Sequence, residues 1–451
     1  MNTAEILAYV KNHPAQKVKI AYADIDGVLR GKYISADKFI STIESKTTFC
    51  DVIFGWDMAD ACYDNVAYTG WHSGYPDAPA TIDLNTFRKI PWENDIPFFL
   101  GELIDKNNEP ADVCPRQLLK KIIQHANDMG FSPVCAQEFE WFNFLETPQT
   151  ATAKEFKNLT PLTPGMFGYS ILRSSLQCNF STDLFELLTK FNIPIEGFHT
   201  ETGPGVYEAA IAYCDALEAA DRALLFKTAV KEIAYKHGVL ATFMAKVNEK
   251  LPGCGGHVHQ SLWDIESNIN LFYEAHANNK MSELMQQYVA GQLFCLPHLL
   301  PFFAPTINSY KRLVEGAWAP TTITWGIDNR TVALRVLNGG SKSCRLETRV
   351  IGSDVNPYLA IAASIGAGLY GIQNKLSLQP ITTGNGYKEE QYGRLPTTLE
   401  AATEKMKTSG IAAEIFGNGF ANHFIATREW EWRQHLKPVT DWELKRYFEI
   451  I

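Results

Sequence analysis

The phrase Gly253-Cys-Gly-Gly-His257-Val-His259-Gln-Ser261 concentrates the chemistry of this chain. In a β-strand, residues two apart point to the same face. At that spacing His257, His259 and Ser261 put two imidazoles and a hydroxyl on one wall, beside a flexible glycine turn. Glu138-Phe-Glu140 is a second such pair, with both carboxylates on one strand face and Phe139 and Trp141 on the other. Side-by-side carboxylates repel, and burial makes their ionisation costly. A divalent cation such as Mg²⁺ or Mn²⁺ removes that penalty, since both favour oxygen ligands. A solvated strand face explains the same letters, and both readings stay open on this motif alone.

Two further phrases add to the set. Glu201 and Glu208 flank Gly203-Pro204-Gly205, a bend that can bring both carboxylates to one ion or simply turn the chain between exposed acids. Glu196 and His199 lie just upstream. Arg345-Leu-Glu347-Thr-Arg349 alternates so that two guanidiniums and a carboxylate share a face, as an oxyanion grip or as a structural ion-pair ladder. Lys311, Arg312, Arg330 and Arg335 supply more cations, and guanidinium is the usual partner of carboxylate and phosphate.

These residues need a large scaffold. At 451 residues the length suggests about 2–3 domains. The formal net charge is −9 without a basic run, which argues against nucleic acid as a partner. No stretch reads as a membrane span, and the N-terminus lacks the pattern of a signal peptide. Nine cysteines without a Cys-x-x-Cys spacing fit free thiols in a reducing cytoplasm.

Residues 17–105 read as short strands and turns, with a hairpin at Asp26-Gly27. Ala23-Asp-Ile-Asp-Gly27 also resembles the start of haloacid-dehalogenase-type phosphatases, but the later phrases of that family are missing and the hairpin accounts for it. Leu118, Leu119, Ile122, Ile123 and Ala126 form one stripe of a helix over 116–128, with Gly130 placed to end it. A strand is predicted over 134–145, a long helix over 215–237 and a strand over 239–243. The segments 146–164 and 377–395 read as surface loops, and the chain from Thr397 as mainly helical.

Taken in order, Glu-x-Glu, Glu-x-x-Pro-Gly-x-x-Glu, Gly-x-Gly-x-His-x-His-Gln-Ser, Asn-Ser-Tyr-Lys-Arg, Asn-Arg and Arg-x-Glu-x-Arg with Asn-Pro-Tyr resemble the glutamine synthetase family over nearly the whole chain. The resemblance implies an α+β fold: an N-terminal β-grasp domain over 1–105, and a catalytic domain over 106–451 with a curved antiparallel sheet backed by helices. It implies homo-oligomeric rings, usually a stacked double ring, with sites between neighbours. It implies glutamate, ATP as co-substrate, a small amine and divalent ions. By the same resemblance, Glu140, Glu201 and Glu208 hold the first ion, and Glu138, His257 and Glu347 the second. Glu196, His259, Ser261, Arg335 and Arg345 contact the nucleotide. Gly253, Arg312 and Arg349 grip glutamate, and Arg330 faces the transferred phosphoryl group.

The chain departs from true glutamine synthetases around the ammonium site. Trp318 stands where the family's flap carries a glutamate, with Glu315 nearby. Pro252 replaces an asparagine and Val206 a glutamine. Asp57 is the candidate for the aspartate that a neighbour contributes. The loop near Tyr387 is shortened, so adenylylation is not expected. The first reading is therefore an ATP-dependent glutamate–amine ligase resembling γ-glutamylpolyamine or γ-glutamylalkylamide synthetases. The alternatives are a glutamine synthetase using ammonia, with Glu315 as base, and a non-catalytic ring-forming relative.

Overall fold

Two sheets organise the computed structural model, which describes residues 1–45, 47–105 and 107–451. The first has five strands in the order Leu29–Ser35, Lys17–Ala23, Ile96–Leu103, Asp77–Ile90 and Thr47–Cys50. Its inner pair, Lys17–Ala23 with Ile96–Leu103, is parallel, and the outer pairs are antiparallel. Ile96–Leu103 is buried at every position. Phe99 and Leu103 pack into one cluster with Ile6 and Phe39 of the helices Thr3–Asn12 and Ala36–Ser45. Phe98 and Leu100 face the opposite way, into a second cluster with Leu225 and Ala229.

The Asp26-Gly27 hairpin is present between Lys17–Ala23 and Leu29–Ser35. Asp24 Oδ1 accepts the Asp26 and Val28 N–H groups, and Oδ2 accepts from Arg30 Nε at 2.9 Å. The acid in the phosphatase-like phrase therefore builds the turn. Asp26 in turn accepts from the buried Arg428 at 2.5 Å, which ties the hairpin to the helix Asn418–His435.

The second sheet has nine strands. Trp325–Ile327, Leu334–Leu337, Arg345–Thr348, Val258–Asp264, Phe131–Phe144, Val206–Ile211 and Ile195–Thr200 lie side by side. Leu240–Thr242 and Cys214–Asp215 also pair with Phe131–Phe144. This is the curved antiparallel sheet expected, with one departure: Trp325–Ile327 runs parallel to Leu334–Leu337. Along Phe131–Phe144 burial alternates. Phe139 and Trp141 face the core and pack on Phe226 of the helix Ala216–Lys236 and on Phe243. Burying a side chain of that size contributes about 1.5–3 kcal/mol. Those contacts set which face remains for Glu138 and Glu140.

The remaining elements follow the sequence reading with small shifts. The helix predicted from 116 is Pro115–Asp128, and the long helix is Ala216–Lys236, capped by Asp215 accepting the Glu218 N–H. The loop over 146–164 contains the short helix Pro148–Ala153, started by the Thr147 capping box and too short to show an apolar stripe. No described helix is long and apolar enough to cross a membrane.

On Asn418–His435, His423 is buried, and neither ring nitrogen finds a hydrogen-bond partner among the described residues. Burial, with Arg428 beside it, pushes its pKa down to about 4. The unfolded imidazole titrates near 6.5. As pH falls the unfolded chain therefore binds a proton before the folded chain does. The stabilisation linked to neutral His423 is complete above pH 6.5 and is lost as pH drops toward 4, up to about 3 kcal/mol. Urea midpoints should fall across that window, and His423→Phe should flatten this part of the slope. An unchanged slope in the variant would assign the effect to other groups.

Candidate active site

Cross-strand register assembles the site on the exposed face of the nine-stranded sheet. Glu140 lies opposite Glu208, which lies opposite His199. His259 lies opposite Glu347, which lies opposite Arg335. Glu138 donates its backbone N–H to the carbonyl of His257, so that imidazole rises beside it. Two acidic clusters result, joined through Phe131–Phe144.

In the first cluster, His199 Nε2 is 3.1 Å from Glu208 Oε2, and His199, Glu201 and Glu208 place ligand-type atoms within 4.8 Å of one another. Glu140 borders them and accepts the Gly255 N–H at 2.8 Å. Burial and the neighbouring Glu208 push the Glu140 carboxyl up to about 8, against the pull of the Gly255 N–H and Arg312. In the second cluster, His257 Nδ1 is 2.9 Å from Glu138 Oε1 and 3.3 Å from Glu347 Oε1. His259 Nε2 approaches Glu138 Oε2 at 3.4 Å, and Glu138, His259 and Glu347 also lie within 4.8 Å of one another. Burial opposes ionisation of Glu138, but His259 and His257 on either side hold its carboxyl well below the usual range. Burial and the Arg349 charge depress the His257 pKa, which keeps a neutral imidazole with a lone pair to offer. A side chain at Gly255 would put its Cβ 2.6 Å from His257 Nε2, so a glycine there lets the ring stand where it does.

Glu347 is fully buried and held from three sides. Arg335 Nη1 donates to it at 2.9 Å and Arg349 Nη1 at 2.5 Å, besides His257. Arg335 is itself held by Asp328. Arg345 Nε donates to His259 Nδ1 at 3.2 Å. The phrase Arg345–Arg349 thus acts on one face, as its alternation predicts, while Leu346 enters the core and Thr348 bonds Gln292.

Two cavities open on this wall. One, of about 290 Å³, is lined by Glu138, Glu140, Glu201, Glu208, Gly253 and His257, and closed by Arg312, Arg349, Arg330 and Trp318. Arg312 anchors its own guanidinium on the carbonyls of Val350 and Arg349. Arg330 is exposed and makes no hydrogen bond to any described residue. The other cavity, of about 270 Å³, is lined by Glu138, Glu196, His259, Ser261 and Arg345, with Tyr213 and Lys342 at its edge. Glu138 borders both. Arg335 and Glu347 stand behind the walls.

Asp57 lies outside both cavities. It is buried, and its carboxylate accepts the N–H groups of Ala59 and Ala61 and the indole N–H of Trp430 at 2.9 Å. Three donors of its own chain hold this carboxylate. Glu315 is also absent from the cavity walls: it pairs with Lys388 at 2.6 Å.

Sequence reasoning passed over Tyr169. Its ring stacks on His199 at 4.4 Å and lines the first cavity. No local pattern marks it. Tyr169 and Trp318 both adopt left-handed backbone, with φ of 55° and 61°. For a bulky side chain this is an outlier costing about 1–3 kcal/mol, of the kind that clusters at functional sites.

A family model described as glutamine synthetase, catalytic domain, matches residues 112–447. The chain belongs to the glutamine synthetase family. It is 54% identical over 99% of its length to type-1 glutamine synthetase 2 of Dictyostelium discoideum, covering 86% of that protein. It is 36% identical over 98% of its length to a glutamate–isopropylamine ligase of a Pseudomonas species, covering 97% of it. Among solved structures, a GmaS/ADP complex aligns over 98% of this chain and 99% of the other, with a TM-score of 0.85 at 25% identity. As a member of this family the chain is a carbon–nitrogen ligase, and such ligases use ATP and divalent metal ions.

Proposed function

We propose that this glutamine synthetase-family chain is an ATP-dependent glutamate–amine ligase that makes a γ-glutamyl amide from glutamate and an organic amine. The observation that carries this reading is Trp318. Its indole lines the cavity beside Glu201, Glu208 and Arg330, while the nearest flap carboxylate, Glu315, is spent on Lys388. An indole is large and apolar and cannot take up a proton as a base. Together with Tyr169 it offers aromatic walls to an amine's carbon tail.

The other residues suit the remaining steps. A carboxylate resists attack by an amine because its oxygen leaves poorly, and phosphorylation to γ-glutamyl phosphate removes that barrier. Arg312, Arg349 and Gly253 border the space for glutamate. Arg330, with its guanidinium free, is suited to neutralise the phosphoryl group in transit, since such transfer is mainly positioning and charge neutralisation. Glu196, His259, Ser261 and Arg345 border the nucleotide space, and Arg335 holds Glu347 in place. The buried Glu347, the partly buried Glu138, Glu140, Glu201 and Glu208, and neutral His257 fit hard divalent ions such as Mg²⁺ or Mn²⁺. Glu140, Glu201 and Glu208, with His199 in reach, would hold one ion. Glu138, His257 and Glu347, with His259 in reach, would hold the other. Such ions supply charge neutralisation to phosphate oxygens.

Homo-oligomeric assembly is part of the same reading. The C-terminal segment leaves Val439, Trp442, Phe448, Ile450 and Ile451 exposed, and large apolar side chains exposed in one short segment suit a protein contact.

Ammonia as the acceptor is the competing reading, favoured by the name of the 54% identical relative. Phosphate release with ATP, glutamate and a panel of ammonium, isopropylamine, ethanolamine and putrescine separates the two. An organic amine should exceed ammonium in kcat/KM by at least roughly 10-fold. Ammonium matching the best amine would make glutamine the product.

A further inference from the structure

A third cavity, of about 800 Å³, shares no lining residue with the two at the ligase site. It lies between the Asp26-Gly27 turn, the helix Ala216–Lys236, the segments 242–244 and 306–308, and the end of Asn418–His435. Its volume falls in the range of small-molecule sites.

Two lysines one helical turn apart line it. The ammonium groups of Lys227 and Lys231 lie 5.8 and 5.7 Å from the centre of the Phe243 ring. Like charges at this helical spacing repel. Lys227 donates to the Val355 carbonyl at 2.8 Å, and Lys231, which is exposed to solvent, has no hydrogen bond among the described residues. Neither has a carboxylate within ion-pair distance there. Burial and the neighbouring charge of Lys231 push the Lys227 ammonium down to about 7. From a different wall, Glu431 presents a half-buried carboxyl with no ion-pair partner among the described residues, raised by burial. Asp354 accepts from Thr306 and Ser309 through Oδ2, while its buried Oδ1 has no partner. Val28, Leu29, Met58, Met244 and Ile307 supply the apolar part of the lining, beside the polar Thr228, Thr242, Asn308, Gln434 and His435.

We propose that this cavity binds a free α-amino acid with an apolar side chain, its carboxylate held between Lys227 and Lys231 and its ammonium by Glu431. Such a zwitterion neutralises both unpaired ends at once, and charge-assisted hydrogen bonds of this kind are the strong ones. Its side chain covers apolar wall, which adds affinity in proportion to the area removed from water. A simple anion would satisfy the lysines alone and leave Glu431 unpaired.

Calorimetric titration of the full chain with L-leucine tests this. Saturable binding of one molecule per chain is expected, weakened at least 10-fold in Lys231→Met and in Glu431→Gln. The analogue 4-methylpentanoate, which lacks the amino group, should bind at least 10-fold more weakly than leucine. Lys231→Met should retain ligase turnover without leucine, which reports an intact fold. Glu138→Gln, at the ligase site, should bind leucine as the parent does. The absence of saturable binding, binding unchanged in Lys231→Met, or 4-methylpentanoate binding as tightly as leucine would each overturn the proposal.

Discussion

Glu138→Gln should lower kcat by about 1,000-fold or more. Glu138 is the residue that borders both cavities, and its carboxylate lies 2.9 Å from His257 and 3.4 Å from His259. Glutamine keeps the shape and removes the charge. A divalent ion contributes several kcal/mol to neutralising transferred phosphate, and each 1.36 kcal/mol is tenfold in rate. A second readout does not depend on turnover. Ligand that binds only the native state stabilises it by about 2.7 kcal/mol at one hundred times its Kd. Mg²⁺ with ATP should therefore raise the melting temperature of the parent chain and raise that of Glu138→Gln much less. Parent-like turnover in the variant would remove the metal assignment from this cluster.

Trp318 carries the second large effect. A few methylenes laid on the indole gain about 25 cal/mol for each Å² of apolar surface removed from water. Ammonium has no such tail. Trp318→Ala should lower kcat/KM for the preferred amine by roughly 10- to 100-fold and leave ammonium nearly untouched, the discrimination expected of a small apolar pocket. Trp318→Glu places a carboxylate on the same left-handed flap position and should shift preference toward ammonium or dicationic amines. The measurement is kcat/KM against amines of increasing chain length in all three chains. Equal losses for ammonium and amines in Trp318→Ala would show that the indole only props the flap.

Some of this site is legible in the chain itself because β-structure has a local period of two. Glu138 with Glu140, His257 with His259, and Arg345 with Glu347 each share a face, and the apolar residues between them, Phe139, Val258 and Leu346, are buried as that period demands. The helix over 116–128 and the Asp26-Gly27 hairpin are local for the same reason. Their signals span a few residues and need no partner to be read.

What tertiary structure decided is register and direction. Glu140 meets Glu208, and His259 meets Glu347, only because particular strands pair in one alignment. A slip of one residue would send each carboxylate into the core instead. Asp57 stands without a visible partner in the chain, and the fold gives its oxygens two backbone N–H groups and the Trp430 indole. Glu315 stands near the flap in sequence, yet it lies outside the cavity and pairs with Lys388, 73 positions away. Tyr169 carries no motif, and a left-handed turn and its stack on His199 put it there. Local pattern determines which face a side chain takes, whereas the partner it meets depends on contacts between segments far apart in the chain.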